Sequence, residues 1–278
     1  MNQSDQVRLD DLLHVAKLDY LYKYTSAENG ILLLENNKIH FNSPLKFNDP
    51  FDCHPLLIKI SDQYIYNTLK QGEYKNVLNR KGFTTSPFYL NFVKDFGKTQ
   101  VQVINAKILP KVKISCFSER KNNLLMWAHY AKDHTGVCFE FDTKQMIRYL
   151  ATLSKVSNDS TGMFLRVLYN HKRTNYPFES SNDPFPLIMW MKTKSIDWEY
   201  EREIRLVFTK REENLLAIPS ELISKMYLGS EISNIHEAQI VRLCQANFPK
   251  TAIYKMDLSD REFQLVEQRY NSSALSDV

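Results

Sequence analysis

The chain has 278 residues, 43% apolar and 24% charged, the proportions of an ordinary globular protein that buries its own core. Its formal charge of +4 is mild, and its seven glycines are well under the number that average usage of about 7% implies. None of them builds GxGxxG or GxxxxGKS/T, which excludes a Rossmann fingerprint and a P-loop. The N-terminus lacks a basic stretch followed by an apolar run, and no apolar run approaches a membrane span. Cys53, Cys116, Cys138 and Cys244 form no CxxC pair and read as reduced, buried thiols. Together these features predict a cytoplasmic chain with no membrane contact.

The first predicted elements are a helix over 7–20 and a strand over Leu21–Thr25, where aromatic and branched residues alternate with polar ones. Ser26 caps a helix reaching Leu34, with Glu28 in its first turn. A strand over 38–42 leads to Ser43-Pro44 and the loop Phe47-Asn48-Asp49-Pro50-Phe51-Asp52, whose Asp-Pro step is turn chemistry. Residues 55–111 read as a helical, basic insert. Between Leu56 and Lys113 ten basic residues stand against three acidic ones, interleaved with aromatics such as Tyr64, Tyr89 and Phe92. Such a segment can meet a polyanion such as nucleic acid, but an amphipathic helical insert with a solvated lysine face is the favoured reading.

Strands are expected at 112–118, 137–141 and 164–169, and a helix at Leu124–Lys132 whose exit Gly136 marks. A helix near 187–193 precedes a strand running through Trp198–Phe208. Beyond it come a strand near 226–228, a helix over 234–246, and strands at 252–256 and 263–267. The pattern is that of an α/β (α+β) chain. It forms one globular domain over 1–278, with its core at about 20–54 and 112–270 and a polar tail at 271–278.

Two constellations carry chemistry. In Glu201-x-Glu203-x-Arg205, strand alternation puts two carboxylates and a guanidinium on one face, with Tyr200, Ile204, Leu206 and Phe208 behind. The same row also fits a solvated, salt-bridged sheet face. Trp127 and Tyr130 lie three apart on a helix and form a ledge able to stack a planar ring, or to pack a core. His129, His134 and Cys138 match no zinc spacing, and no metal is expected. Asp49, Asp52, Glu201 and Glu203 leave a metal-dependent nuclease as an alternative. A non-catalytic module sensing a nucleotide or a partner is another.

Leu21-Tyr22-Lys23-Tyr24, Phe47-Asn48-Asp49-Pro50-Phe51-Asp52, Met126-Trp127-Ala128-His129-Tyr130, the run Gly136–Asp142 and Trp198–Arg205 resemble a large bacterial family of unknown function. Its members often sit near mobile or phage-defence loci. More distantly, the order of polar strands resembles the ADP-ribosyltransferase fold, a mixed sheet core here carrying a helical insert. That resemblance implies NAD as substrate. It places Glu203 and Glu201 in catalysis, and Tyr22, Lys23, Tyr24, Ser115, Phe117, Ser118, Trp127 and Tyr130 around the cofactor. Asn48, Asp49 and Arg205 are further site candidates. Lys23 or Tyr24 stands where those enzymes carry His or Arg, and Cys116-Phe117-Ser118 replaces their Ser-Thr-Ser. The setting implied is a toxin or antiphage effector, with an antitoxin or defence-system protein as partner.

Overall fold

The alternation of apolar and polar residues in 113–118, 137–142 and 203–208 builds the middle of one sheet, and the helices close over its faces. The computed structural model describes residues 2–54, 59–71, 75–78, 86–103, 106, 109–156, 162–172, 176–178 and 183–270. Helix α1 (Gln3–Val15), strand β1 (Tyr20–Thr25), α2 (Ala27–Asn36) and β2 (Lys38–His40) come first. The insert contributes β3 (Lys59–Ile60), α3 (Asp62–Gln71), α4 (Lys75–Leu78) and α5 (Pro87–Val103). There follow β4 (Lys113–Ser118), α6 (Leu124–Tyr130), β5 (Val137–Asp142), α7 (Thr143–Val156), β6 (Gly162–Arg166), β7 (Leu168–Asn170) and β8 (Pro177–Phe178). Next are α8 (Phe185–Lys192), β9 (Thr193–Ser195), β10 (Glu203–Phe208) and β11 (Leu215–Ala217). The last elements are β12 (Ile223–Leu228), α9 (Asn234–Asn247), β13 (Ala252–Leu258) and β14 (Leu265–Arg269).

Eight strands form the main sheet in the order β14-β13-β12-β5-β1-β4-β10-β6. Only β12 and β13 run parallel within it, so the fold is a mixed α+β arrangement with a mostly antiparallel sheet. One face carries Leu21, Phe117, Phe139, Phe141, Ile204, Leu206 and Phe208 into the largest core, against Leu33 and Leu34 of α2 and Ile240 and Val241 of α9. Each such side chain contributes roughly 1.5–3 kcal/mol on burial. Ser26 caps α2 by accepting from the Asn29 amide, and Asn37 ends it in the left-handed region at φ 51°.

The sheet is joined unevenly. Strand β1 pairs with β5 along its whole length, from Tyr20↔Asp142 to Thr25↔Val137, but with β4 only at Tyr22↔Ser118. Beyond that point β1 and β4 part. Lys23 spans the gap, its Nζ donating to Ser115 Oγ at 2.8 Å and to the Cys116 carbonyl at 3.3 Å. A side chain thus satisfies a carbonyl that the ladder leaves unpaired.

Several expectations are corrected. Residues 143–156 form α7, unread from the sequence, and 164–169 splits into β6 and β7, which belong to different sheets. Residues 196–201 form a 3-10 turn rather than strand, so Glu201 and Tyr200 precede β10. In the insert, Ile65, Leu69, Tyr89 and Val93 make a small core of their own, with Lys70, Lys94 and Lys98 on exposed faces. Lys113 is not a surface cation: it is buried, and its Nζ donates to the Pro110 carbonyl. Glu73, Arg80, Lys81 and Lys107 of the basic segment, and the tail 271–278, lie outside the described residues. Among the described residues no helix is long and apolar enough to cross a membrane.

Candidate functional site

The gap between β1 and β4 opens into a cavity of about 260 Å³. One wall holds Tyr22, Lys23 and Tyr24, and the other Ser115, Phe117 and Ser118 of β4. Tyr130 from α6, Glu201 and Glu203 close its floor, and Asn48 reaches it from the loop before Asp52. Lys23, Tyr24, His40, Asn42 and Tyr130 also line a wider outer cavity of about 1010 Å³, so the two spaces meet at these residues.

The floor is a network of buried charges. Glu201 ends the 3-10 turn, Arg202 bends the chain at φ 45°, and Glu203 starts β10. Lys194 of β9 lies between them, with its Nζ 2.6 Å from Glu201 Oε2, 3.4 Å from Glu203 Oε2 and 3.6 Å from Asp52 Oδ2. Arg205, fully buried, donates from Nε and Nη2 to the two Glu203 oxygens at 2.9 and 3.0 Å. Its remaining donors reach Asp52 and the Met191 carbonyl. Tyr130 Oη donates to Glu201 Oε1, and Ser118 Oγ donates to the Glu201 carbonyl at 2.6 Å.

This network separates the two glutamates. Burial raises Glu201 first and the neighbouring Glu203 charge adds to it, pushing its pKa up to about 7. Burial opposes the Glu203 charge too, but Arg205 and then Lys194 overcome it and hold that carboxyl well below the usual range. Burial alone disfavours charge on Lys194, yet Glu203 and Glu201 keep it protonated above its ordinary range. Lys23 differs: burial is the leading influence and lowers its pKa, with Cys116 and Glu203 only partly offsetting. Among the described residues Lys23 has no carboxylate in ion-pair contact.

Of the residues singled out in the sequence, Glu201, Glu203, Tyr22, Lys23, Tyr24, Ser115, Phe117, Ser118, Tyr130 and Asn48 all line the inner cavity. Three do not. Trp127, expected beside Tyr130, is fully buried, packs edge-on against Tyr24 at 5.3 Å and donates from Nε1 to the Lys121 carbonyl. It is a core residue that fixes α6. Asp49 caps its own turn, accepting from the Phe51 amide. Arg205 sits behind Glu203 and holds it in place.

Lys194 escapes the sequence reading: the lysine straight after the apolar run Leu187–Met191 is Lys192, and Lys194 follows it two residues on, in the short strand β9. Its neighbour Lys192 is also buried, and pairs with Asp11 at 2.5 Å. The nuclease alternative rests on Asp49, Asp52, Glu201 and Glu203. Asp52, Glu201 and Glu203 are turned onto Lys194 and Arg205, two fixed cations occupying the place a metal needs. Among the described residues no group of three or more His, Cys, Asp or Glu is arranged to hold a metal.

Residues 126–206 match the model of a family described as a protein of unknown function, DUF2971. The matched stretch carries Tyr130, Lys194, Glu201, Glu203 and Arg205, the greater part of the cavity floor, while Lys23, Asp52 and Ser115 lie before it. Neither the curated proteins nor the solved structures give a match. These comparisons name no activity, and they lend no support to the ADP-ribosyltransferase resemblance.

Proposed function

We propose that the chain is an NAD-consuming enzyme of ADP-ribosyltransferase type, which splits the nicotinamide–ribose bond and passes ADP-ribose to an acceptor or to water. The observation that carries the reading is the pair Glu201 and Glu203 on one cavity floor, with their proton affinities driven apart. Breaking the glycosidic bond builds positive charge on the ribose ring, and a fixed carboxylate stabilises it. Arg205 clamps both Glu203 oxygens, so that charge is in position before substrate enters. Glu201, near 7, exchanges a proton at working pH and suits a general base for the nucleophile. Three carboxylates against two cations leave the floor with one negative charge once Glu201 is ionised.

The rest of the cavity is compatible with the same substrate. Lys23 donates only to neutral acceptors and has charge left for a phosphate. Tyr22, Tyr24 and Tyr130 offer ring surface for a planar base. Spent on cellular NAD, such an activity suits a toxin or antiphage effector held in check by a partner protein.

The test is incubation of the purified chain with NAD, alone and with RNA, DNA or cell protein, following free nicotinamide and labelled acceptor. Nicotinamide release that Glu201→Gln abolishes supports the reading. No release under any of these conditions overturns it.

A further inference from the structure

We infer that the Tyr130 hydroxyl is the proton relay between the outer cavity and Glu201, so that the nucleophile is deprotonated from the outer cavity and never touches the carboxylate itself. This rests on the NAD reading above and adds to it the path of the proton and the side of attack.

The geometry leaves Glu201 no direct access to that side. Its side chain is 3% exposed, Lys194 occupies Oε2 at 2.6 Å, and the Tyr130 hydroxyl covers Oε1. Tyr130 is half-buried and lines both cavities, whereas Glu201 lines only the inner one. A hydroxyl group in the outer cavity therefore meets the Tyr130 oxygen before it can meet the base.

The ring is also held for this task. Tyr130 is the last residue of α6, whose Trp127 is anchored through Nε1 to the Lys121 carbonyl at 2.9 Å. After it, Lys132, Asp133 and His134 take left-handed φ values of 48°, 55° and 64°, an arrangement rare for three successive non-glycine residues. The turn is fastened by Asp133 N to Ala128 O at 2.9 Å, His134 N to Trp127 O at 3.1 Å and Gly136 N to Ala131 O at 2.7 Å. Burial and the neighbouring Glu201 raise the phenol's pKa, so Tyr130 keeps a proton between transfers instead of standing as a phenolate.

The step balances. Tyr130 Oη passes its proton to Glu201 Oε1 as it accepts the proton of a water or other hydroxyl nucleophile. The nucleophile's oxygen bonds to the ribose C1′, the C1′–N bond breaks, and its electron pair leaves with neutral nicotinamide. Proton transfer of this kind is worth about 10²–10⁴ in rate.

The experiment compares wild type, Tyr130→Phe, Glu201→Gln and the double variant, following nicotinamide release from pH 5.5 to 8.5. Tyr130→Phe is expected to lower kcat about 100-fold with KM changed less than about threefold. It is also expected to remove the solvent deuterium effect on kcat. Because the two groups act in series, the double variant should lose no more than Glu201→Gln alone. Thermal melts establish that Tyr130→Phe remains folded, and should it unfold, the wild-type solvent deuterium effect alone decides: its absence overturns the relay. An active wild type with unchanged kcat in Tyr130→Phe, or multiplicative losses in the double variant, overturns the relay and leaves the NAD reading standing. A wild type that releases no nicotinamide overturns both.

Discussion

Arg205 holds Asp52 with two guanidinium nitrogens, Nη1 at 2.9 Å and Nη2 at 2.5 Å, tying strand β10 to a loop 153 residues earlier in the chain. The same guanidinium clamps Glu203, so one cation organises two carboxylates that are themselves buried. Arg205→Met strips the guanidinium from both and leaves them only Lys194, which Glu201 also shares. The expected loss is about 3–5 kcal/mol, because the carboxylates left behind stay buried with one cation among them. Asp52→Ala combined with Arg205→Met should cost less than the two single losses together, since the pair is removed as a unit. Urea denaturation measures both, and a loss under about 1 kcal/mol for Arg205→Met would show that water reaches the site freely.

Glu201→Gln separates activity from stability. The side chain faces Lys194, Glu203 and Tyr130, and its pKa is raised from the ordinary 4.5 to about 7. A raised pKa means the folded state holds this proton more tightly than the unfolded chain does. That contribution to stability is complete below about 4.5 and is lost as pH climbs to about 7. Glutamine mimics the protonated acid and cannot titrate. The variant should therefore match wild type in stability at pH 5 and exceed it at pH 8, while losing nicotinamide release at both. Wild-type activity should rise across pH 6–8 as Glu201 ionises. Denaturation curves at the two pH values decide the first point, and a variant weaker than wild type at pH 8 contradicts it.

Lys23→Met tests the other end of the cavity. Lys23 carries a burial-lowered pKa and meets Ser115 and the Cys116 carbonyl but no carboxylate. Removing the buried charge offsets the cost of leaving the Cys116 carbonyl and the Ser115 hydroxyl without this donor, so the melting temperature should change little. If a substrate phosphate uses that charge, KM for NAD should rise about tenfold, with a smaller change in kcat, as expected for the loss of a charge-assisted contact. An unchanged KM removes Lys23 from substrate binding.

Much of this site was legible because local rules and the fold agree. Alternation in Glu203–Phe208 sends Ile204, Leu206 and Phe208 to the core and Glu203 to the cavity side, and Ser26 with Glu28 announces α2. Glu201 reaches the cavity by another route than strand alternation: Arg202 takes a positive φ that no local signal in a non-glycine residue discloses. Trp127 was misplaced because helical spacing puts it near Tyr130 without saying which of the two faces the core. Lys194 and Asp52 come together only through long-range pairing of distant segments, which periodicity cannot reveal. Helix α7, by contrast, carries Met146 and Leu150 buried at i and i+4, so its period was in the sequence to be read.

Gly136 marks the exit of α6 in the sequence, and the left-handed turn that follows the helix is made by Lys132, Asp133 and His134. The residue is needed for space. A Cβ built on Gly136 would lie 2.2 Å from the Thr25 carbonyl oxygen and 2.9 Å from that of Ala131, both backbone atoms that cannot rotate away. Its own carbonyl accepts from the Gly229 amide at 2.9 Å, so the backbone is held from a second side. Gly136→Ala must therefore push β1 and β5 apart where they pair at Thr25↔Val137, next to Tyr24 and the mouth of the cavity. Overpacking of this kind costs about 1–3 kcal/mol where side chains can yield, and a backbone clash places this variant at or above the top of that range. The expected outcome is a clear fall in denaturation midpoint, with Tyr24 drawn out of register against Trp127. Near-ultraviolet circular dichroism reports that aromatic pair directly. A variant with wild-type midpoint and an unchanged aromatic spectrum would mean that β1 and β5 separate without cost, and that the close approach at Gly136 is not what sets this end of the cavity.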